Sequence, residues 1–93
     1  MAKVTYTDRA YDDIDRIIEF NNRRNLSTTY SKKFLKGLRA RVAKLSKQPF
    51  SGINTNDPQI LLIIWDNFYI YYQPLDKSIE VTAVYHQKEI LGR

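Results

Sequence analysis

The stretch ILLIIWDNFYIYYQ, residues 60–73, decides the fold of this chain. Two runs rich in aromatic and branched aliphatic residues, 60–65 and 68–73, flank Asp66-Asn67, a pair that favours a two-residue hairpin turn. A third such run, IEVTAVY at 79–85, follows a second turn over residues 74–78. Because consecutive strands with short connections pair antiparallel, we expect a three-stranded antiparallel meander here.

Two amphipathic helices are predicted before the meander. Thr7 is a suitable N-cap for the first, which we expect to fray near Asn21-Asn22. A loop over Arg23–Leu26 should follow, with Ser27 or Thr28 as the cap of the second helix, which ends before Pro49 and Gly52. The apolar stripe of the first helix consists of Ala10, Ile14, Ile17 and Ile18, and that of the second of Tyr30, Phe34, Leu38, Val42 and Leu45.

The N-terminal run Lys3–Tyr6 alternates polar and apolar residues, so it predicts a short strand. The element order is then strand, helix, helix and three strands. This order indicates one α+β domain spanning residues 1–93, in which an antiparallel helical hairpin packs on one face of a four-stranded antiparallel sheet. The predicted core between the helices and the sheet contains Ile14, Ile18, Phe34, Leu38, Val42 and Leu45.

The composition narrows the function classes. The chain contains no cysteine and one histidine, which argues against a zinc site, and nothing indicates a metal or another cofactor. The N-terminus lacks the apolar segment of a signal peptide, and the longest apolar run, 60–65, is far shorter than the ~20 residues that cross a bilayer. We therefore expect a soluble cytoplasmic protein.

Charge is distributed unevenly. The net charge is +5, and residues 27–56 contain no acidic residue, whereas five acids lie between Asp8 and Glu19. The two segments could complement each other across the helix pair, but the basic residues occupy more than one face of their helix, so an acidic partner is also expected. The basic residues are Lys32, Lys33, Lys36, Arg39, Arg41, Lys44 and Lys47.

The ordered elements resemble the RelE/ParE toxin superfamily of type II toxin–antitoxin systems. The resemblance lies in Val4 and Thr7-Asp8-Arg9-Ala10 at the start, in the second helix with its Pro49…Gly52 exit, in the aromatic strand 68–72, and in the last strand with His86-Gln87-Lys88. It covers nearly the whole chain, although each motif is short. It implies a toxin that has a cognate antitoxin. It also implies that operator DNA would be bound only by the toxin–antitoxin complex.

Two targets follow from the resemblance. ParE-like members bind a protein, with DNA gyrase as the precedent, whereas RelE-like members cleave ribosome-bound mRNA with basic residues on the third-to-last strand and an arginine in the aromatic strand. In this chain the third-to-last strand, 60–65, contains no charged residue. In the aromatic strand, Tyr69 occupies the position at which RelE-like members have arginine. These departures favour the ParE-like toxin over the endonuclease. A third hypothesis is a basic domain that merely binds nucleic acid.

A remaining nuclease site would depend on His86 as a base, because an imidazole titrates near neutral pH. Tyr85 or Tyr69 could donate a proton, and Lys88 or Arg93 could hold phosphate. Neighbouring strand residues point to opposite faces, however, so Tyr85 and His86 can share a site only where the strand ends. The alternative is that His86 is a strand-end residue that bonds the backbone or water.

Partner contacts are expected from the basic helix and from Trp65, which could equally be a core residue. We predict Lys32, Lys33, Lys36, Arg39, Arg41, Lys44 and Trp65 as partner-binding residues. The uniform apolarity of residues 60–65 predicts that both faces of this strand are covered, one by the helices and the other by a partner segment.

Overall fold

The computed structural model describes residues 3–25 and 28–88. The elements are β1 (Lys3–Tyr6), α1 (Asp8–Asn25), α2 (Thr29–Leu45), β2 (Ile53–Asn54), β3 (Leu61–Trp65), β4 (Phe68–Pro74) and β5 (Ser78–His86). They form an α+β fold in which two helices pack on a sheet, as predicted.

The sheet differs from the prediction in size and direction. It has five strands in the order β1-β5-β4-β3-β2, and β1 pairs parallel with β5, whereas the other pairs are antiparallel. The prediction of four antiparallel strands was wrong because no short turn links β1 to its partner, so the sequence around β1 does not determine its direction. The two-residue β2 was missed because both of its residues are exposed.

The predicted meander is confirmed. Trp65 pairs with Phe68 across the Asp66-Asn67 turn, and Asp66 has a positive φ of 53°. Aspartate tolerates this left-handed conformation better than most residues, which suits it to the tight turn. A register shift between Tyr71 and Tyr72 interrupts the β4–β5 ladder.

The first helix is longer than predicted. It continues past Asn21-Asn22 to Asn25, so Arg23 is helical and not part of a loop. Asn22 receives a hydrogen bond from the Ser31 hydroxyl at 2.7 Å, which ties the end of α1 to α2 and outweighs the low helix propensity of asparagine. Thr28 precedes α2 but makes no side-chain capping bond, and Ser27 lies outside the described residues.

The predicted core is confirmed between the helices and the sheet. Leu38, Val42 and Leu45 are fully buried, Ile14 and Phe34 are buried, and Ile18 packs partly buried against them. Tyr30, the first residue of the predicted stripe, is exposed instead. Tyr72 lies completely buried, and its hydroxyl donates to the Pro49 carbonyl and accepts the Gly52 N–H, which fixes the loop after α2.

Beyond the end of β1, side chains of Thr7 and α1 form hydrogen bonds with the backbone of β5. The Thr7 hydroxyl caps α1 by accepting the Ala10 N–H and donates to the Thr82 carbonyl, each at 3.0 Å. Further along, the buried Asp13 accepts the Val84 N–H at 3.1 Å through Oδ2 and an Arg16 guanidinium bond at 2.9 Å through Oδ1. Side chains of α1 therefore take the place of a strand beside residues 82–84.

Candidate partner-binding surfaces

The basic residues of α2 lie on the solvent side of the helix. The buried stripe of α2 comprises Ser31, Phe34, Leu38, Val42 and Leu45, so the charged positions point elsewhere. Arg41 is half-buried, and the other cations of this segment are exposed: Lys32, Lys33, Lys36, Arg39 and Lys44 in α2, and Lys47 just after it. We call this set of seven residues the basic face.

The acidic segment of α1 does not neutralise the basic face. The ion pairs found between described side chains all lie within α1: Arg9–Asp13, Arg16–Asp13 and Arg23–Glu19. The basic face is therefore available to an acidic partner. Burial raises the pKa of Tyr6 and of Tyr72, and the nearby guanidiniums of Arg39 and Arg41, respectively, partly oppose this rise, so the basic face reaches both flanks of α2.

Trp65 is mainly a packing residue. Its ring stacks on Phe68 with centroids 5.6 Å apart and lies 6.0 Å from Phe34. A Cβ atom added to Gly37 would lie 2.5 Å from Cζ2 of Trp65, so the ring rests directly on the helix backbone. Only glycine leaves room for this contact, which explains a residue that lowers helix stability by about 1 kcal/mol relative to alanine. A partner contact by Trp65 stays a prediction.

The three residues proposed for a nuclease are not brought together. His86 pairs with Phe68 on the helix-covered side of the sheet, where its ring meets Phe68 edge-on at 5.2 Å. Its Nδ1 accepts the backbone N–H of Lys88 at 3.1 Å, which matches the structural alternative for His86. Tyr85 is the preceding strand residue and points to the opposite face. The Lys88 side chain is exposed, and Arg93 lies outside the described residues.

The sheet surface opposite the helices carries a row of side chains that the sequence analysis did not assemble. Ile64 is paired with Tyr69, and Tyr69 with Tyr85, so these residues form one row across three strands. Guanidinium carbons of Arg9 and Arg16 lie 5.6 and 5.8 Å from the centre of the Tyr85 ring. We call this surface the outer face.

The outer face includes the side of β3 on which a partner segment is expected, and a partner there stays a prediction. Leu61 and Ile63 are buried under the helices, as predicted, but Leu62 is half-exposed and Ile64 is 52% exposed. One face of β3 is thus covered by the chain itself, and the other is open. Strand parity gave the two faces correctly, but the arginines of α1 could be placed beside Tyr85 only once the β1–β5 register was known.

Two classes of site find no support among the described residues. No group of three or more His, Cys, Asp or Glu side chains there could hold a metal ion. No described helix combines the length and apolarity needed to cross a membrane.

Comparison with known proteins agrees with this architecture. The family model described as the ParE toxin of the type II toxin–antitoxin system parDE matches residues 4–91. Among solved structures, a chain of the chromosomal ParDE system from P. aeruginosa superposes with a TM-score of 0.75 at 16% identity, covering 92% of this chain and 96% of that one. A comparison with curated protein sequences finds no match. The family match extends over nearly the whole sequence, and the chain belongs to the ParE toxin family of type II toxin–antitoxin systems.

Proposed function

We propose that this ParE-family toxin acts in the cytoplasm by binding a protein target, with DNA gyrase as the family precedent, and that a cognate antitoxin neutralises it. The observation that carries the proposal is the basic face, where Lys33, Lys36 and Lys44 are exposed and form no ion pair with another described side chain. Clustered exposed cations accelerate association with an acidic surface and help to select the partner.

The endonuclease alternative gains one feature from the structure. Arg9 and Arg16 supply cations beside Tyr85, which β3 does not provide. A 2′-hydroxyl attack also needs a base and an acid within reach of the same phosphate. The candidate base His86 lies on the opposite side of the sheet, so the outer face offers cations and a phenol without that imidazole. The arrangement supports a binding protein better than a nuclease.

The test compares two readouts on the same purified protein. We expect inhibition of DNA supercoiling by gyrase and an intact message when translated mRNA is examined by primer extension. A variant with Lys33, Lys36 and Lys44 changed to Glu should need at least about tenfold more protein for inhibition, because repulsion replaces attraction. Lys77→Glu, which reverses one exposed charge outside α2, is the control for a charge change as such, and Lys36→Glu alone is its matched counterpart.

Three results would each contradict part of the proposal. Discrete cuts within ribosome-bound codons that disappear in His86→Ala would place the protein among the endonucleases. Full inhibition by the triple variant would remove the basic face from target binding. Failure of wild-type toxin to bind the antitoxin encoded with it would contradict neutralisation separately.

A further inference from the structure

Helix α1 carries a row of carboxylates on the side that faces away from the core. Asp12 and Asp15 each lie two residues before a buried isoleucine, and the helix turns by about 100° per residue, so both carboxylates point away from the sheet. Among the described side chains, Glu19 is the member of this row that forms an ion pair, with an arginine of its own helix. We call the exposed residues of this row the acidic stripe: Asp8, Asp12, Asp15 and Glu19.

Helix α2 has the opposite charge on the corresponding side. Lys36 and Lys44 of the basic face are each two residues from a buried apolar residue of α2, so they also point away from the sheet. Ala40 lies between them and is exposed, and its short side chain leaves room for another helix to approach. Because α1 and α2 contact each other, the acidic stripe and these lysines form neighbouring rows of opposite charge.

The two rows also match in level along the hairpin. The hydrogen bond from Ser31 to Asn22 fixes where α2 begins beside α1, and the two helices run in opposite directions from there. Counted from that contact, Asp15 is within about one turn of the level of Lys36, and Asp12 is within about one turn of the level of Lys44. Such a surface is self-complementary, because a two-fold axis along the hairpin places each acidic row on the basic row of the other copy, at the same level.

An exposed aromatic side chain lies beside the seam between the rows. Tyr11 is 54% exposed and lies two turns before Ile18, whose carbonyl accepts a hydrogen bond from the Ser31 hydroxyl of α2 at 3.4 Å. Tyr11 is therefore on the flank of α1 that is turned toward α2, with its ring 5.5 Å from that of Tyr6. Tyrosine is enriched in the buried centres of protein interfaces, with charged residues around them.

We propose that the helical hairpin binds a second copy of this chain, with α1 of each copy on α2 of the other and Tyr11 close to the two-fold axis. Helices of 18 and 17 residues are about 25 Å long, so the contact would bury about 500 Å² per copy, near the lower limit of specific interfaces. Because each copy has a net charge of +5, repulsion opposes the contact and the dimer forms in the micromolar range or above.

Self-association would cover the basic face, which is the surface proposed for target binding. The dimer would therefore hold the toxin in a form that cannot reach its target. This consequence rests on the proposed function, whereas the dimer itself does not.

The experiment is analytical ultracentrifugation of the full-length toxin from low micromolar to submillimolar concentration. The double variants Asp12→Lys/Asp15→Lys and Lys36→Glu/Lys44→Glu should each weaken self-association at least about tenfold, because repulsion replaces attraction in both contacts of the dimer. An equimolar mixture of the two should associate like wild type. In the mixed dimer, the new lysines of one copy face the new glutamates of the other, and the unchanged rows face each other as before.

Two further variants separate this contact from a general effect of charge. Tyr11→Ser changes no charge and should weaken self-association several-fold. Asp12→Lys alone should also weaken it, whereas Asp76→Lys, at an exposed carboxylate in the turn before β5, should associate like wild type.

The outcomes distinguish the inference from the proposed function. A wild-type protein that stays monomeric at submillimolar concentration overturns the inference, and so does a mixture that associates no better than its two components. Gyrase inhibition by such a monomer would leave the proposed function intact. Conversely, a dimer restored by mixing, without gyrase inhibition by wild type or by Asp12→Lys/Asp15→Lys, upholds the inference and contradicts the proposed function.

The covering of the basic face has its own readout. Asp12→Lys/Asp15→Lys keeps the basic face and should inhibit supercoiling at a lower total concentration than wild type wherever wild type is dimeric. Equal inhibition by the two proteins there would overturn this part of the inference.

Discussion

Replacing Asp13 with alanine should lower the free energy of unfolding by about 2 kcal/mol. Asp13 is 5% exposed and is the acceptor for the N–H of Val84, a residue that is completely buried. A buried donor that loses its acceptor costs about 1–3 kcal/mol. The ion pair with Arg16 adds about 0.5 kcal/mol or less, because the Arg16 side chain is 46% exposed and water screens its charge.

Two further variants separate the hydrogen bond from the charge. Asp13→Asn keeps an oxygen for the Val84 N–H and loses the charge opposite Arg16, so it should cost about half as much as the alanine variant. Asp12→Ala removes an exposed neighbouring carboxylate and should change the stability by less than about 0.5 kcal/mol.

Urea unfolding followed by the fluorescence of the lone tryptophan, Trp65, measures these effects. With an m-value of about 1 kcal/mol per molar urea for a domain of this size, Asp13→Ala should move the midpoint down by about 2 M. Hydrogen exchange of the Val84 amide should accelerate in parallel. A midpoint for Asp13→Ala equal to that of Asp12→Ala would refute the role given to this carboxylate, and equal losses for alanine and asparagine would assign the effect to charge alone.

Three further perturbations test the interior. Leu38→Ala, at a site 1% exposed, should cost roughly 2–5 kcal/mol in urea unfolding, and an unchanged midpoint would contradict the core placement. In Gly37→Ala, the new methyl should displace the Trp65 ring and shift its emission to the red, so the gain of about 1 kcal/mol in helix propensity should not raise the stability. A more stable protein with unchanged emission would contradict this. Burial raises the pKa of Tyr72 above its ordinary value of 10.0, so the folded state favours the neutral phenol and the stability falls as the pH rises above that value. Tyr72→Phe should lower the free energy of unfolding by about 1–2 kcal/mol at pH 7. Measured by circular dichroism, the variant should lose less stability than wild type when the pH is raised above 10.0.

The parts of the fold that depend on neighbouring residues could be predicted from the sequence. Asp66-Asn67 and the short connection before β5 determine which strands pair in the meander, and the apolar spacing in α2 determines which face is buried. The extension of α1 to Asn25 could not be predicted, because it depends on the contact between Asn22 and Ser31, which are distant until the hairpin forms. The direction of β1 was misjudged for the same reason.

The candidate surfaces differ in the same way. The cations of α2 follow from composition and helical spacing, so the basic face was predictable. The cluster at Tyr85 depends on Arg9, which is 76 residues away in the chain and reaches Tyr85 only through the register of β1 on β5. His86 was the more conspicuous residue as the only histidine, yet it packs on Phe68 beneath the helices.

The pairing of β1 with β5 has a consequence for synthesis of the chain. β5 is an inner strand of the sheet, yet the ribosome makes it after every other strand. The Thr7–Thr82 hydrogen bond joins residues that are 75 positions apart in the chain. Closing a loop of this length costs about 4 kcal/mol of entropy, which opposes the pairing of β1 with β5. Until β5 emerges, β4 and α1 each lack a neighbour that they have in the finished fold, so the nascent chain cannot complete its core. The protein therefore completes its fold only after β5, the last strand in the described part of the chain, has left the ribosome.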